Sequence, residues 1–217
     1  MAVWQVGAST DDCRRGLTDA AWSLTHANFP AGDGKRAKYG GGARFTNITI
    51  PKDSIITTAV LRLEVKDWRN GVTVRTRISA EQVNDAPTFA DNAAAFDARW
   101  ANRGAQVSWI CPIWTPPLTV DSPSIVAVIQ AIVNRAGWVS GNDIVIFWED
   151  FEGRSDDVAN CWRICYSWNG SAPQAPRLVI TWTPPGWSGE IAGVTDPAFV
   201  MGVDVENIET VKGVASA

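Results

Sequence analysis

The chain has 217 residues, of which 46% are hydrophobic and 19% are charged, and its net charge at pH 7 is −4. This composition is typical of one globular domain of about 150–200 residues with an appendage, and it excludes a largely disordered chain. The chain has no basic stripe and no apolar run long enough to cross a bilayer, so we expect neither a nucleic-acid partner nor a membrane partner.

The N-terminal part of the chain gives few structural signals. Residues 1–5 lack the charged and apolar regions of a signal peptide, so we expect cytoplasmic synthesis, with any secretion or assembly by another route. Further along, Gly40-Gly41-Gly42 lacks the Lys-Ser/Thr pair of a phosphate-binding loop. We interpret this glycine run as a flexible turn.

Strands are predicted along most of the chain after residue 42, because alternating apolar residues and β-branched runs recur there. The predicted strands cover residues 43–50, 55–66, 72–79, 107–110, 161–168 and 176–182. Between the second and the third of them, Arg69-Asn70-Gly71 is a hairpin turn signal that favours antiparallel pairing. Residues 144–148 are almost wholly apolar, which predicts a central strand buried on both faces.

One amphipathic helix is predicted between these strands. It opens with Ser122 as N-cap and Pro123 at the first helical position, and it ends at Gly137. Its apolar stripe consists of Ile125, Val128, Ile129, Ile132 and Val133. Residues 80–106 are polar and rich in alanine, and we interpret them as a loop with a helical turn near residues 92–95.

Together these elements predict an all-β fold, a jelly-roll-type β-sandwich with one amphipathic helix. We assign the sandwich to residues 1–186 and a C-terminal tail of extended or short helical segments to residues 187–217. The single helix would cap one end of the sandwich or cross between its sheets.

The tail differs in composition from the rest of the chain. Gly-Val occurs three times in it, and two short apolar stretches, each opened by an Asp, separate the copies. A segment too small to build a core and too apolar to be a solvated linker is expected to dock on a partner surface. Asp196-Pro197 and Asp204 are predicted to start helical turns that end near Gly202 and Gly213. The expected anchors of this docking are Pro197, Phe199, Val200, Ile208 and Val211.

Several phrases of the sequence are more specific than composition. They are Arg44-Phe45, Ile50-Pro51, residues 54–63, Ser122-Pro123, residues 128–138, residues 140–143, residues 166–171 and residues 175–178. On these phrases the chain, over about residues 40–183, resembles the DNRLRE-type β-sandwich domains, which are related to some carbohydrate-binding modules. Such domains occur in bacterial surface and secreted proteins, and similar ones occur in tailed-phage virion proteins. The tail likewise resembles Gly-Val-rich C-terminal segments of phage structural proteins.

No catalytic or metal-binding pattern stands out. His26 is the only histidine, and no Gly-x-Ser-x-Gly elbow accompanies it. The carboxylates of residues 149–157 could act as a glycosidase pair or hold calcium, but their simplest interpretation is a solvated loop. Cys161 and Cys165 would lie about 13 Å apart along one strand, too far to bridge, and they are interpreted as buried thiols rather than zinc ligands. We therefore expect no enzymatic activity, no cofactor and no metal.

Twelve tryptophans are the outlier in the composition. Most of them are expected to pack between the sheets, where a large ring with one polar atom fits well. Exposed rings could instead stack on sugars, and the candidates for glycan binding are Trp68 at a hairpin tip and Trp100 and Trp114 in irregular loops. Trp109, Trp148, Trp162 and Trp182 lie on predicted strands and are assigned to the core.

These observations favour a non-enzymatic bacteriophage virion structural protein, either a capsid decoration or a tail-associated protein. Its partners would be other virion proteins or copies of itself, bound through residues 188–217. The alternative is a carbohydrate-binding or adhesion module that recognises cell-surface glycans.

Overall fold

The structure is a computed structural model that describes residues 1–35, 37–67, 73–156 and 158–186, together with the backbone of four short strands in the tail. It is mostly β, with 43% of residues in strands and 11% in helices. The strands of the sandwich are β1 (Ala2–Gln5), β2 (Asp12–Gly16), β3 (Trp22–Ser23), β4 (Asn28–Asp33), β5 (Lys38–Phe45), β6 (Ile55–Asp67), β7 (Val74–Glu81), β8 (Arg103–Cys111), β9 (Thr119–Asp121), β10 (Ile144–Glu149), β11 (Cys161–Tyr166) and β12 (Arg177–Thr183). The helices are α1 (Ala93–Ala101) and α2 (Val126–Val133), and a short 3₁₀ turn covers Ala172–Gln174.

The strands form one curled antiparallel sheet in the order β1-β12-β6-β11-β4-β5-β10-β7-β8. The 13-residue strand β6 joins its two halves, because residues 55–62 pair with β12 whereas Val65 and Asp67 pair with β11. Strand β9 adds to β6, and β2 pairs with β5 and with β3. The predicted all-β, sandwich-like fold is confirmed.

The main core lies between the two halves of this curled sheet. Leu61 and Leu178 from one half face Phe29, Ile78 and Trp148 from the other, and all five side chains are buried. Helix α2 adds the predicted apolar stripe to the same core, and each of its five residues is buried as expected.

The start of α2 differs from the prediction. The helix begins at Val126 with Ile125 as N-cap, and it ends at Val133. Ser122 instead extends the pairing of β9 with β6, since its hydroxyl accepts a hydrogen bond from the Leu61 amide and donates one to the Pro123 carbonyl. The Ser-Pro signal therefore marks the end of a strand.

A second core covers the outer face of β5 and β10. Phe89 and Phe96 pack there against Val145 and Phe147, which point away from the main core. Strand β10 is thus buried on both faces, as predicted. Phe96 belongs to α1, a nine-residue helix capped by Asn92, in a region where only a helical turn was predicted. The described chain therefore contains two α-helices rather than one.

The glycine run is not a turn. Gly40, Gly41 and Gly42 are buried residues of β5, with β10 on one side and β2 on the other. A Cβ atom on Gly41 would lie 2.1 Å from the carbonyl oxygen of Cys13, and one on Gly42 would lie 2.5 Å from Cζ of Phe89. Because these glycines have no Cβ atom, β2 and the neighbouring aromatic rings approach β5 more closely than side chains would allow.

The predicted strand over residues 43–50 ends at Phe45. Asn47 has a positive φ of 54°, which breaks the extended backbone, although Ile48 and Ile50 remain fully buried. All four cysteines are free and buried, as predicted for Cys161 and Cys165. Neither helix in the described part of the chain is long and apolar enough to cross a membrane.

Candidate functional site

The three tryptophans predicted to bind glycans do not form a site together. Trp114 is only 3% exposed and packs against Trp109 and Trp148, with ring centroids 5.4 and 6.2 Å apart, so its faces are not open to a sugar. Trp100 lies in α1 rather than in a loop, and the guanidinium of Arg103 covers its ring at 3.8 Å. Trp68 lies outside the described residues. The prediction is therefore wrong for the exposure of Trp114 and for the loop position of Trp100.

The acidic segment was predicted to be a solvated loop; Glu152 and Asp156 are exposed as predicted, but Glu149 and Asp150 are buried. Glu149 and Asp150 are each 1% exposed. The Asp150 carboxylate accepts hydrogen bonds from the Arg154 and Ser155 amides at 2.7 and 3.0 Å, which closes the turn. Burial raises the pKa of Glu149 above its ordinary value. The Asp150 carboxylate is thus directed at the backbone of its own turn.

The rest of the acidic segment pairs with arginines of the neighbouring strands. Glu152 accepts hydrogen bonds from Arg77 at 2.5 Å and Arg103 at 3.1 Å, and Asp156 accepts one from Arg75 at 3.0 Å. Asp157 lies outside the described residues, and within the described ranges no cluster of His, Cys, Asp and Glu could hold a metal ion. These carboxylates are best explained as ion-pair partners that hold the segment against β7 and β8.

The described parts of the tail are two separate hairpins rather than helical turns. Strands β13 (Glu190–Ile191) and β14 (Val194–Thr195) pair with each other, as do β15 (Phe199–Val200) and β16 (Val203–Asp204). The predicted helical turn is therefore wrong at Phe199 and Val200, which are strand residues. The other predicted anchors, Pro197, Ile208 and Val211, lie outside the described residues.

The two hairpins are copies of one sequence unit. Both contain an apolar residue, one further residue and Gly-Val, as Ile191-Ala-Gly-Val194 and Val200-Met-Gly-Val203, nine positions apart. The apolar residue and the valine of each unit are direct partners across the hairpin. The third Gly-Val copy, at Val211-Lys-Gly-Val214, repeats the pattern in sequence and lies outside the described residues. The recurring Gly-Val was noted in the sequence, but its significance is that only two residues, the second of them this glycine, separate the paired strands of each hairpin.

A different surface gathers aromatic rings and positive charges at the place where β2 lies beside β5. The Arg14 guanidinium lies 4.8 Å from the centroid of the Tyr39 ring, and this ring lies 4.6 Å from that of Trp162. The Tyr39 hydroxyl donates a hydrogen bond to Asp19 at 3.2 Å. Burial, with the Asp19 charge as a smaller contribution, raises the pKa of Tyr39.

Two further positive or titratable groups continue this surface. His26 Nε2 lies 2.6 Å from Arg14 Nη1, and His26 Nδ1 accepts a hydrogen bond from the Asn28 amide. Lys66 Nζ donates to the Ala27 carbonyl and to Asn28 Oδ1, both at 2.7 Å, and lies 5.6 Å from the Tyr166 ring. We call this surface the aromatic–cation band; it consists of Arg14, His26, Tyr39, Lys66, Trp162 and Tyr166.

The band contains the two cations Arg14 and Lys66, and the carboxylates of Asp19 and Asp67 lie close enough to act on Tyr39 and Lys66. Burial and the nearby charges of Arg14 and Lys66 lower the pKa of His26, so the imidazole is neutral at pH 7. Burial also lowers the pKa of Lys66. Among the described residues no carboxylate forms an ion pair with Arg14 or Lys66, whereas Arg15, Arg44 and Arg99 all have carboxylate partners. The band therefore combines two cations with aromatic rings that pack on one another and on the cations.

Neither a protein-family profile nor a curated protein sequence matches this chain. The resemblance to DNRLRE-type domains thus stays an expectation based on the phrases quoted above. The sequence signal for the band was the alternation in β11, which puts Trp162 and Tyr166 on one face. Trp162 was assigned to the core, but it is half-buried, as is Trp182, whereas Trp109 and Trp148 are buried as predicted.

Proposed function

We propose that this chain is a non-enzymatic structural protein of a bacteriophage virion, a capsid decoration or tail-associated protein anchored by its C-terminal tail. The observation that carries the proposal is that the strands before and after residue 186 belong to separate sheets. The described strands of the sandwich all lie within residues 1–186, and the strands described in the tail pair only with each other.

The first and the last strand of the sandwich pair with each other. The N-terminal strand β1 pairs with the last strand of the sandwich, β12, from Ala2 opposite Ile180 to Gln5 opposite Arg177. The ring centroids of Trp4 and Trp182 lie 5.9 Å apart, so the two strands also pack through their side chains just before the tail begins.

The hairpins of the tail are too short to be stable on their own. Each strand has two residues, and an isolated two-stranded hairpin is marginal in water even when it is longer. Unpaired strand edges and apolar residues favour pairing with another chain. Tandem copies of such a unit support a role in binding a partner surface, either other virion proteins or further copies of this chain.

A truncation separates the two parts of this proposal. We expect residues 1–186 to fold with the far-ultraviolet circular dichroism of the sandwich and to elute as a monomer in size-exclusion chromatography with light scattering. The full chain is expected to form an oligomer under the same conditions. Oligomers of equal mass from both proteins would contradict a role of the tail in assembly.

A second candidate function, a carbohydrate-binding module that recognises cell-surface glycans, is favoured by the aromatic–cation band. Half-buried aromatic rings beside polar groups are a common arrangement in small-ligand sites, because the rings bury the apolar face of the ligand. The two functions are compatible, since an adhesive protein of a virion needs both an anchor and a receptor surface.

A further inference from the structure

An uncharged patch lies on the outer face of the part of the sheet formed by β1, β12 and β6. The strand register places Val3 opposite Val179 and Val179 opposite Val60, so three valines form a row across three strands. Their neighbours Leu178 and Leu61 belong to the main core. Because successive side chains of a strand point to opposite faces, the valine row points outward.

This outer face is more apolar than expected. An antiparallel sheet that borders water normally presents polar side chains to it. Here Val3 is 49% exposed and Ile55, the first residue of β6, is 62% exposed. Val179 is buried although it belongs to neither of the two cores. We call this patch the valine face; it consists of Val3, Ile55, Thr58, Val60, Val179 and Thr181. A contiguous apolar patch on a protein surface often marks an interaction site.

The charges at the border of the valine face are paired. Arg62 Nε lies 2.7 Å from Asp121 Oδ1, and Arg177 Nη1 lies 3.0 Å from Glu64 Oε1. The valine face itself contains no charged side chain. It therefore offers apolar contacts without a carboxylate that would repel an acidic partner.

The tail follows directly in sequence from one side of this face. Strand β12 ends at Thr183, which is paired with Ile55, and the tail begins four residues later. The tail has five acidic side chains and one lysine, and its net side-chain charge is therefore −4. Its Gly-Val units supply the apolar residues Ile191, Val194, Val200 and Val203. An acidic segment with regularly placed apolar residues is the kind of partner that an uncharged apolar face accepts.

The size of the valine face also favours a tail as its occupant. Stable interfaces usually involve about 20–30 residues on each side, and the valine face has far fewer. Two such faces packed on each other would not form a stable dimer, which agrees with the monomer expected for residues 1–186. A tail that lies on the face and continues beyond it adds the contacts that are missing.

We propose that the valine face binds the tail of a second copy of the chain. The apolar residues of the Gly-Val units pack on the valine row, and the tail links the two copies. This inference rests on the proposed assembly through the tail, and it adds the surface to which the tail binds.

Sedimentation equilibrium of the full chain tests the inference through the dissociation constant of the oligomer. Ile55→Glu and Val3→Glu each place a negative charge in the valine face. We expect each to raise the dissociation constant about tenfold or more, because burial of an aliphatic side chain contributes a factor of this size. Ile110→Glu is the matched control, since Ile110 is 65% exposed and lies in β8, at the other end of the strand order from β1. It should leave the dissociation constant unchanged.

Ile55→Lys distinguishes the two surfaces that a second copy could present. Attraction between this lysine and the acidic tail offsets part of the lost apolar contact, so Ile55→Lys should weaken the oligomer less than Ile55→Glu does. If two valine faces packed on each other, either charge would meet its own copy across the two-fold axis. Equal losses from the two variants would therefore overturn the tail as the occupant.

The remaining outcomes separate this inference from the proposed function. An oligomer that is lost on truncation at residue 186, but is unchanged by Ile55→Glu and Val3→Glu, would keep the role of the tail and overturn the valine face as its binding surface. A full chain that stays monomeric would overturn the inference together with the self-association on which it rests. Thermal unfolding of each variant shows whether a loss of assembly comes from a loss of fold.

Discussion

Asp12 shows how far a single residue of this chain depends on its surroundings. It lies in β2, is 1% exposed, and accepts a hydrogen bond from the Trp168 amide at 2.7 Å. Burial, opposed by that hydrogen bond and reinforced by the Asp11 charge, raises its pKa to about 7. The neutral acid is therefore favoured in the folded protein, while the unfolded chain ionises at ordinary acidic pH.

This difference predicts a pH-dependent stability. Because the pKa of Asp12 is raised on folding, its contribution to stability is full below pH 4 and is lost as the pH rises to about 7. Between pH 4 and pH 8 we expect the free energy of unfolding of the unmodified chain to fall by an amount on the order of a few kcal/mol because of Asp12. Asp12→Asn, which stays neutral, should abolish this decrease. Urea unfolding of both proteins across this range measures the effect. A stability difference between the two proteins that stays constant with pH would contradict it.

Sequence reasoning at the residue scale succeeded for the aliphatic stripe of α2 and failed for several tryptophans and for polar side chains. The buried stripe of α2 follows from spacing alone, since five residues at helical intervals have only one face to share. Arg14, His26 and Lys66 come together because β2, β4 and β6 belong to one sheet. No local spacing in the sequence reveals this. The same reason explains why Glu149 was predicted to be solvated, since its burial depends on strands distant in sequence.

At the scale of elements, sequence periodicity missed α1, β9 and the strands before residue 43. Phe96 is the only buried residue of α1, so no stripe marks the helix, and alanines supply most of its length. The helix is held by contacts of this one side chain with Phe147, Phe151 and Trp22, and by the ion pair of Arg99 with Glu81. The partners in those contacts lie outside the helix in sequence, so the local sequence does not predict the helix.

Removal of the Phe96 ring should therefore loosen the layer that covers β5 and β10. We expect Phe96→Ala to lower the free energy of unfolding by about 3–5 kcal/mol, the usual range for a buried phenylalanine. Hydrogen exchange should increase most in residues 93–101. Ala94→Ser, at an exposed position of the same helix, is the matched control. A loss no larger than that of the control would show that α1 does not depend on this anchor.

At the scale of the whole molecule, the described strands form one curled sheet before residue 186 and two short hairpins after it. We assigned the boundary near residue 186 from the Pro184-Pro185-Gly186 run and from the composition of the tail, and this division stays a prediction. The hairpins were not predicted, since the Asp-Pro and Asp signals favoured helical starts while the apolar-x-Gly-Val unit was not recognised as a turn. The partner of the tail lies beyond a single chain and could not be predicted from it.

The central claim is that the tail assembles the protein with a partner surface, and Lys212, the only lysine in the tail, allows a direct measurement of its binding to another copy of the chain. Equal amounts of ¹⁴N-labelled and ¹⁵N-labelled full chain are mixed, treated with an amine-reactive cross-linker and analysed by mass spectrometry. We predict cross-links from Lys212 that join one light and one heavy peptide and that are absent from Lys212→Arg. The account would be contradicted if every cross-link from Lys212 joined two peptides that carry the same label.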